Sequence, residues 1–263
     1  MKTILLLTDL SKKAENAALY ALKVAEKMNA GITLFHSLNV TSALVSGEFE
    51  NPRELRDLKE NLEKQRGPGR DKPVINMLTG CGNLGRNVNN LVLDKNIALI
   101  VMGAKSDDII SQFIFGSETN SVLDETRCPI LFVPAGCVYK KMQTIVFFND
   151  LKKAYHDAVD FLTQIARINN SEIIVSHIKG NEIHSPEPCL FLFKNINGYS
   201  RVKFMQIPGE DVEEKLMEFI ASVNADLIVM IHHQHLLFGK IIPGSNSKNM
   251  LYHHALPLLI LPD

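Results

Sequence analysis

Residues Leu99 to Pro134 read LIVMGAKSDDIISQFIFGSETNSVLDETRCPILFVP. The run Ile97 to Met102 is apolar throughout and short, as in a strand covered on both faces, and it stops at Gly103, where the chain must turn. Further on, Gly116-Ser117 joins a permissive glycine to a hydroxyl able to cap a helix, and helical character then runs to Cys128-Pro129. A second apolar strand, Ile130 to Val133, follows at once. A strand, a glycine-bearing loop and a helix N-terminus together form a place where backbone N–H groups can hold an anion such as phosphate.

Working outward, the chain repeats itself. Ile4 to Leu10, ILLLTDL, matches Ile145 to Leu151, IVFFNDL, which sets Asp9 against Asp150 at an offset of 150 − 9 = 141. At the same offset Ala17 falls on Ala158, Ala25 on Ala166, Asn29 on Asn170 and His36 on His177. Gly116-Ser117 matches Gly244-Ser245 at 244 − 116 = 128, so the second copy is shorter by 141 − 128 = 13 residues between its second strand and its last helix. Two tandem domains, 1–137 and 142–263, follow, with the linker near Ala135 to Lys141.

Within the first copy the hydrophobic period switches as βα units require. Ile4 to Leu7 predicts a buried strand, and Ala14, Ala17, Ala18, Ala21, Val24, Ala25 and Met28 predict a helix with a small-residue face, ended at Asn29-Ala30-Gly31. Ile32 to Phe35 is the next strand. A charged helix over Glu48 to Gln65, a turn at Gly67-Pro68-Gly69, a strand at Val74 to Leu78 and a helix at Leu84 to Leu93 complete the pattern. The second copy repeats it with a strand at Val202 to Ile207, a helix at Asp211 to Val223, a strand at Leu227 to Ile231, a helix at Ser245 to Tyr252 and a strand at Pro257 to Leu261. The apolar CLFLF run within Gly180 to Asn197 fits no element. The fold class is α/β: two tandem open parallel five-stranded sheets flanked by helices, Rossmann-like.

Composition narrows the function. The 263 residues are 46% hydrophobic and 22% charged with net charge −1, so the chain is globular and has neither the basic excess of a nucleic-acid binder nor an acidic tail. Apolar runs fall short of the roughly 18 residues of a membrane span, and the charges from Asp9 to Lys13 interrupt the first run before any signal-peptide cleavage site; a cytoplasmic protein is expected. Cys81, Cys128, Cys137 and Cys189 form no CxxC pair, which predicts reduced thiols.

The spacing of the opening stretch resembles the fingerprint of the universal stress protein family: Gly, two residues, Gly, nine residues, Gly, then Ser or Thr. Here Gly103, Ser106, Gly116 and Ser117 stand at those positions with Thr119 close behind, one glycine being replaced by serine. SVLDETRCPILFVP is similar to the family's last helix and strand. The resemblance implies an adenine nucleotide, ATP or AMP with magnesium as its companion ion; counting back from Gly244 puts Ile231 and Gln234 where Gly103 and Ser106 stand, so the first domain alone is expected to hold it. The acid after the first strand, Asp9, with Thr8 beside it, would face ribose and phosphates, and the backbone past the second strand, Ser37 and Leu38, would meet the adenine. Gly103, Ser106, Gly116, Ser117 and Thr119 would lie at the phosphates, with Lys105 as the nearest cation and Glu118 as an opposing charge. It also implies a stress-response or regulatory role without dedicated catalysis, and halves packed as a pseudo-dimer through their last strands, with a further homodimer open.

Other readings stand beside it. Asp9 would serve equally as a helix cap. Gly80, Gly82 and Gly85 spell GxGxxG, but on a third strand and with no acid at the end of the next, so a tight strand-to-helix turn is expected and neither NAD nor flavin. No GxxxxGK[ST] or GxSxG is present. His232, His233, His235, His253 and His254 lack a carboxylate or thiol spaced to complete a metal site and read as polar loop residues. The alternative function is a nucleotide-free tandem protein acting through protein contacts.

Overall fold

The computed structural model describes residues 2–38, 52–67, 72–104, 116–153, 155–178, 185–207, 212–232 and 256–263, excepting the side chains of 212–214. They fall into two compact units, one ending at Tyr139 and the other beginning at Lys140.

The first unit runs β1 (Thr3–Leu7), α1 (Lys12–Met28), β2 (Gly31–Leu38), α2 (Arg53–Lys64), β3 (Ile75–Cys81), α3 (Leu84–Asp94), β4 (Ile97–Gly103), α4 (Ser117–Glu125) and β5 (Ile130–Val133). Its strands lie in the order β3-β2-β1-β4-β5, and every pairing is parallel. That order dictates the layers. The chain steps one way from β1 to β3 and the other way from β3 through β4 to β5, so right-handed crossovers put α1 and α2 on one face and α3 and α4 on the other. The neighbours agree: α1 packs on α2, and α3 packs on α4. Ile4, Leu5, Leu6, Ile100 and Val101 are completely buried between these layers.

Helix α1 shows why the sequence folds as it does. Its alanines Ala17, Ala18, Ala21 and Ala25 are buried against the sheet, Ser11 caps it by accepting from the Ala14 amide at 3.3 Å, and Asn29 closes it at φ 51°. The left-handed closing residue is therefore Asn29, while Gly31 already belongs to β2. Strand β2 extends to Leu38, three residues beyond the expected Phe35, because Ser37 and Leu38 stay in register with Gly80 and Cys81 of a longer β3. Of the charged helix expected from Glu48, the described part begins at Arg53 behind Pro52; Pro68 and Gly69 lie outside the described residues.

The second unit runs β6 (Thr144–Phe148), α5 (His156–Asn169), β7 (Glu172–Ile178), α6 (Glu187–Phe191), a π-helical turn (Leu192–Ile196), β8 (Val202–Ile207), α7 (Val212–Ser222), β9 (Leu227–Ile231) and β10 (Leu258–Leu261). The order β10-β9-β6-β7-β8, again parallel, is the topology of the first unit with β6 in the place of β1 and β9 in that of β4. Register locates the missing length. Ile173 stands for Ile32 at 173 − 32 = 141, but Val202 stands for Ile75 at 202 − 75 = 127, so the shortening falls between β7 and β8. There the unassigned CLFLF run forms α6 and the π turn, with Phe193 fully buried edge-on to Phe147 at 6.4 Å. The expected helix Ser245 to Tyr252 lies outside the described residues.

All four cysteines are free thiols, with Cys81 exposed and Cys128, Cys137 and Cys189 buried. No helix of the described residues is long and apolar enough to cross a membrane.

Candidate functional site

In the first unit the chain leaves β1 toward one face of the sheet and leaves β4 toward the other, so a crevice opens between the carboxyl ends of these neighbouring strands, where open α/β sheets hold ligands. A cavity of about 430 Å³ occupies it. Thr8, Asp9, Ser37, Gly103 and Thr119, all singled out from the sequence, line it together. Leu38 lies one step further along β2, paired with Cys81. Gly116 and Ser117 start α4 but stand outside the lining; the helix cap is Gly116, and the Ser117 hydroxyl, expected to cap, sits at the first helical position. Lys105 and Ser106 lie outside the described residues.

The loop after β1 is fixed by its own side chains. Thr8 Oγ1 accepts from the Leu10 amide and Asp9 Oδ1 from the Ser11 amide, both at 3.0 Å, which folds Leu10 into the left-handed region at φ 63°. Asp9 is thus not the helix cap; that is Ser11. Partial burial alone would raise the Asp9 carboxyl, but the hydrogen bonds from Ser11 and the nearby His36 ring outweigh it and hold the group below its ordinary value of 3.8. Asp9 is therefore an anion at neutral pH.

Sequence reasoning did not assign several lining residues to the site, His36, Lys13, Ser11 and Leu84 among them. His36 Nδ1 lies 2.8 Å from the Thr8 carbonyl oxygen, which can only accept, so this nitrogen carries the proton. The signal was available, since His177 makes the same bond to the Asn149 carbonyl at 2.9 Å, and the recurrence of histidine at offset 141 marks a structural pin between first and second strands. Lys13, in the first turn of α1, is the cation among the described lining residues, opposed by Asp9 and by Glu118 in the first turn of α4.

GxGxxG resolves into packing. A Cβ on Gly85 would come within 2.3 Å of the Ser121 carbonyl oxygen, so this glycine lets α3 and α4 touch, and Gly82 turns the chain at φ 89°. A Cβ on Gly80 would strike the Phe35 ring at 2.8 Å.

The second unit keeps the loop and carries larger side chains at two positions that match the first unit's crevice. Asn149 Oδ1 accepts from the Leu151 amide at 2.6 Å, Asp150 Oδ1 from the Lys152 amide at 3.0 Å, and Leu151 takes φ 61°. But Tyr155 replaces Ala14, at 155 − 14 = 141, and its hydroxyl donates to Asp150 Oδ1 at 3.0 Å. Ile231, fully buried, replaces Gly103 at 231 − 103 = 128. Behind the loop Cys189 lies 3.9 Å from Asn149 Nδ2, its thiol pushed up to about 12 by burial. Of the five histidines named above only His232 is described, and among the described residues no group of three or more His, Cys, Asp or Glu is placed to hold a metal.

The first unit is thus a doubly wound α/β domain with a polar crevice at its strand-order switch. The sequence model of the universal stress protein family matches residues 1–134, and the chain belongs to that family. Solved structures agree in fold along the whole chain. A universal stress protein from Archaeoglobus fulgidus DSM 4304 is similar at TM-score 0.64 with 15% identity, covering 99% of this chain and 96% of that one. A putative universal stress protein from Pseudomonas aeruginosa UCBPP-PA14 is similar at TM-score 0.58 with 14% identity, covering 99% of this chain and 92% of that one. No curated protein matches the chain.

Proposed function

We propose that this universal stress protein binds an adenine nucleotide in its first unit only and acts as a regulatory stress-response protein of the cytoplasm without dedicated catalysis. The observation that carries the reading is the cavity at the β1–β4 switch, which gathers Thr8, Asp9, Ser37, Gly103 and Thr119 from four separate elements of the unit. Family membership over residues 1–134 supports it, because the resemblance assigns these positions to a nucleotide. Restriction to the first unit follows from Tyr155 and Ile231, whose side chains stand where the first unit has only Ala14 and Gly103.

Charge sets the order of ligands. Asp9 and Glu118 place two carboxylates on a cavity with Lys13 as the described cation, so each added phosphate meets net repulsion. Adenosine and AMP are favoured over ATP, and magnesium assists ATP most. Titration calorimetry of the full chain with ATP, AMP and adenosine tests this, with Glu118→Val beside the parent. One site per chain is expected, and the substitution should tighten ATP about two- to fivefold, as for an exposed charge contact, while leaving adenosine unchanged. Absence of binding for all three ligands at millimolar concentration would overturn the reading and leave the nucleotide-free, protein-contact alternative, which the two opposing carboxylates favour.

A further inference from the structure

A second cavity, of about 420 Å³, lies in the second unit at the opposite edge of its sheet, by the amino ends of β6 and β9. Its volume falls in the range of small-molecule sites, about 300–1,000 Å³. The floor is apolar: Met217 and Ile220 of α7 and Leu256 ahead of β10 are buried around it. The rim is cationic, carrying Lys140 and Lys141.

One buried carboxylate shapes that rim. Asp226 is 8% exposed; its Oδ2 accepts from the amides of Gln143 at 2.7 Å and Thr144 at 2.9 Å, and its Oδ1 pairs with Lys140 Nζ at 2.7 Å. Both oxygens are engaged, so Asp226 offers little to an incoming cation; instead it anchors the ammonium of Lys140, which is 64% exposed, at the mouth. Lys141 stands beside it without a carboxylate partner among the described residues. The first unit has no such arrangement. In register with Leu227 and Leu99, Asp226 corresponds to Ala98, and on the preceding helix Ala221 corresponds to Leu93, a side chain 75% exposed.

We propose that this cavity is a binding site for a small amphipathic carboxylate, its short apolar chain on Met217, Ile220 and Leu256 and its head between Lys140 and Lys141. Charge complementarity selects the ligand. An apolar floor alone would take any hydrocarbon, whereas a rim of two ammonium groups with its single carboxylate already saturated favours an anionic head. The site is independent of the nucleotide reading, because it shares no residue with the first unit's crevice.

Titration calorimetry of the full chain with octanoate tests the proposal, with octanol and acetate as ligands that keep only the tail or only the head. Octanoate should bind with a dissociation constant on the order of 1 mM or below, as expected for a ligand of that size, and both controls should bind at least about tenfold more weakly. Lys141→Glu, at an exposed position, should weaken octanoate about threefold to tenfold and leave octanol unchanged. Ala221→Phe, which fills the cavity from α7, should abolish octanoate binding, with circular dichroism and thermal unfolding verifying that the variant is folded. Octanol binding as tightly as octanoate, octanoate binding indifferent to both substitutions, or no octanoate binding up to about 10 mM would each overturn the proposal.

Discussion

Replacing Gly85 by alanine places a methyl carbon 2.3 Å from the Ser121 carbonyl oxygen, 2.4 Å from its hydroxyl oxygen and 2.7 Å from its carbonyl carbon. These are largely backbone atoms of α4, so no flexible side chain can swing away; α3 and α4 must part by about 1 Å to restore contact distance. Overpacking of this kind costs about 1–3 kcal/mol, and the upper half of the range applies because two helices move. Against it stands the helix preference of alanine over glycine, at most about 1 kcal/mol and less in a first turn. A net loss of about 2 kcal/mol is expected, equivalent to a fall in melting temperature of about 4–8 °C. Gly103→Ala is the control, since its Cβ would find Ala14 and Ala17 at 3.8 Å, ordinary contact, and stability should shift by less than about 0.5 kcal/mol. Urea unfolding of both variants decides the matter. A Gly85→Ala protein within 0.5 kcal/mol of the parent, by the same criterion, would refute the packing account of GxGxxG and reopen a ligand role for that loop.

Tyr155→Phe removes the hydroxyl that donates to Asp150 and should lower stability by about 1 kcal/mol in denaturant unfolding; no change would show that bond to be idle. Asp9 is held below its ordinary value, so its ionised form stabilises the fold above the unfolded-state value, and the contribution fades as pH falls through the folded-state value. Asp9→Asn, which keeps an acceptor for the Ser11 amide, should therefore flatten the acid side of a stability-against-pH profile, and parallel profiles would contradict this. Of the four thiols only Cys81 is exposed, while burial pushes Cys128 and Cys189 up to about 12; an aromatic disulfide reagent near pH 8 should modify one thiol promptly in the native protein and all four after denaturation.

The alternation of apolar runs with helical periods was legible because each strand of a parallel sheet is covered on both faces and leaves an unbroken hydrophobic signature. The repeat was legible for a different reason: the turn after the first strand needs a side-chain acceptor followed by a carboxylate, so TDL and NDL stand at the same offset. What escaped were features that the local hydrophobic period does not carry. Ser37 and Leu38 read as loop because nothing local reveals that β3 continues to Cys81 beside them. Tyr155 draws no reading from the sequence, since only the folded loop brings Asp150, five residues before it, within reach of its hydroxyl, and CLFLF resists assignment because its π turn breaks the helical period and leaves Phe191 exposed between buried Leu190 and Leu192. Lys13 carries no signal at all beyond its place in a first turn.

The left-handed leucines after β1 and β6 divide the two units mechanically. A leucine in that conformation carries strain of about 1–2 kcal/mol. Leu151, 7% exposed, sets burial worth about 1.5–3 kcal/mol against it, so the turn of the second unit is a latch held shut by its own core. Leu10 is only half-buried and leans on a cleft shared with Glu15, Glu54 and Asp57, so the same spring in the first unit works against a weaker catch. Asp9 rides on that spring. The carboxylate on the crevice wall is therefore carried by the less buttressed of the two turns, and any contact that buries Leu10 would supply the missing half of the latch.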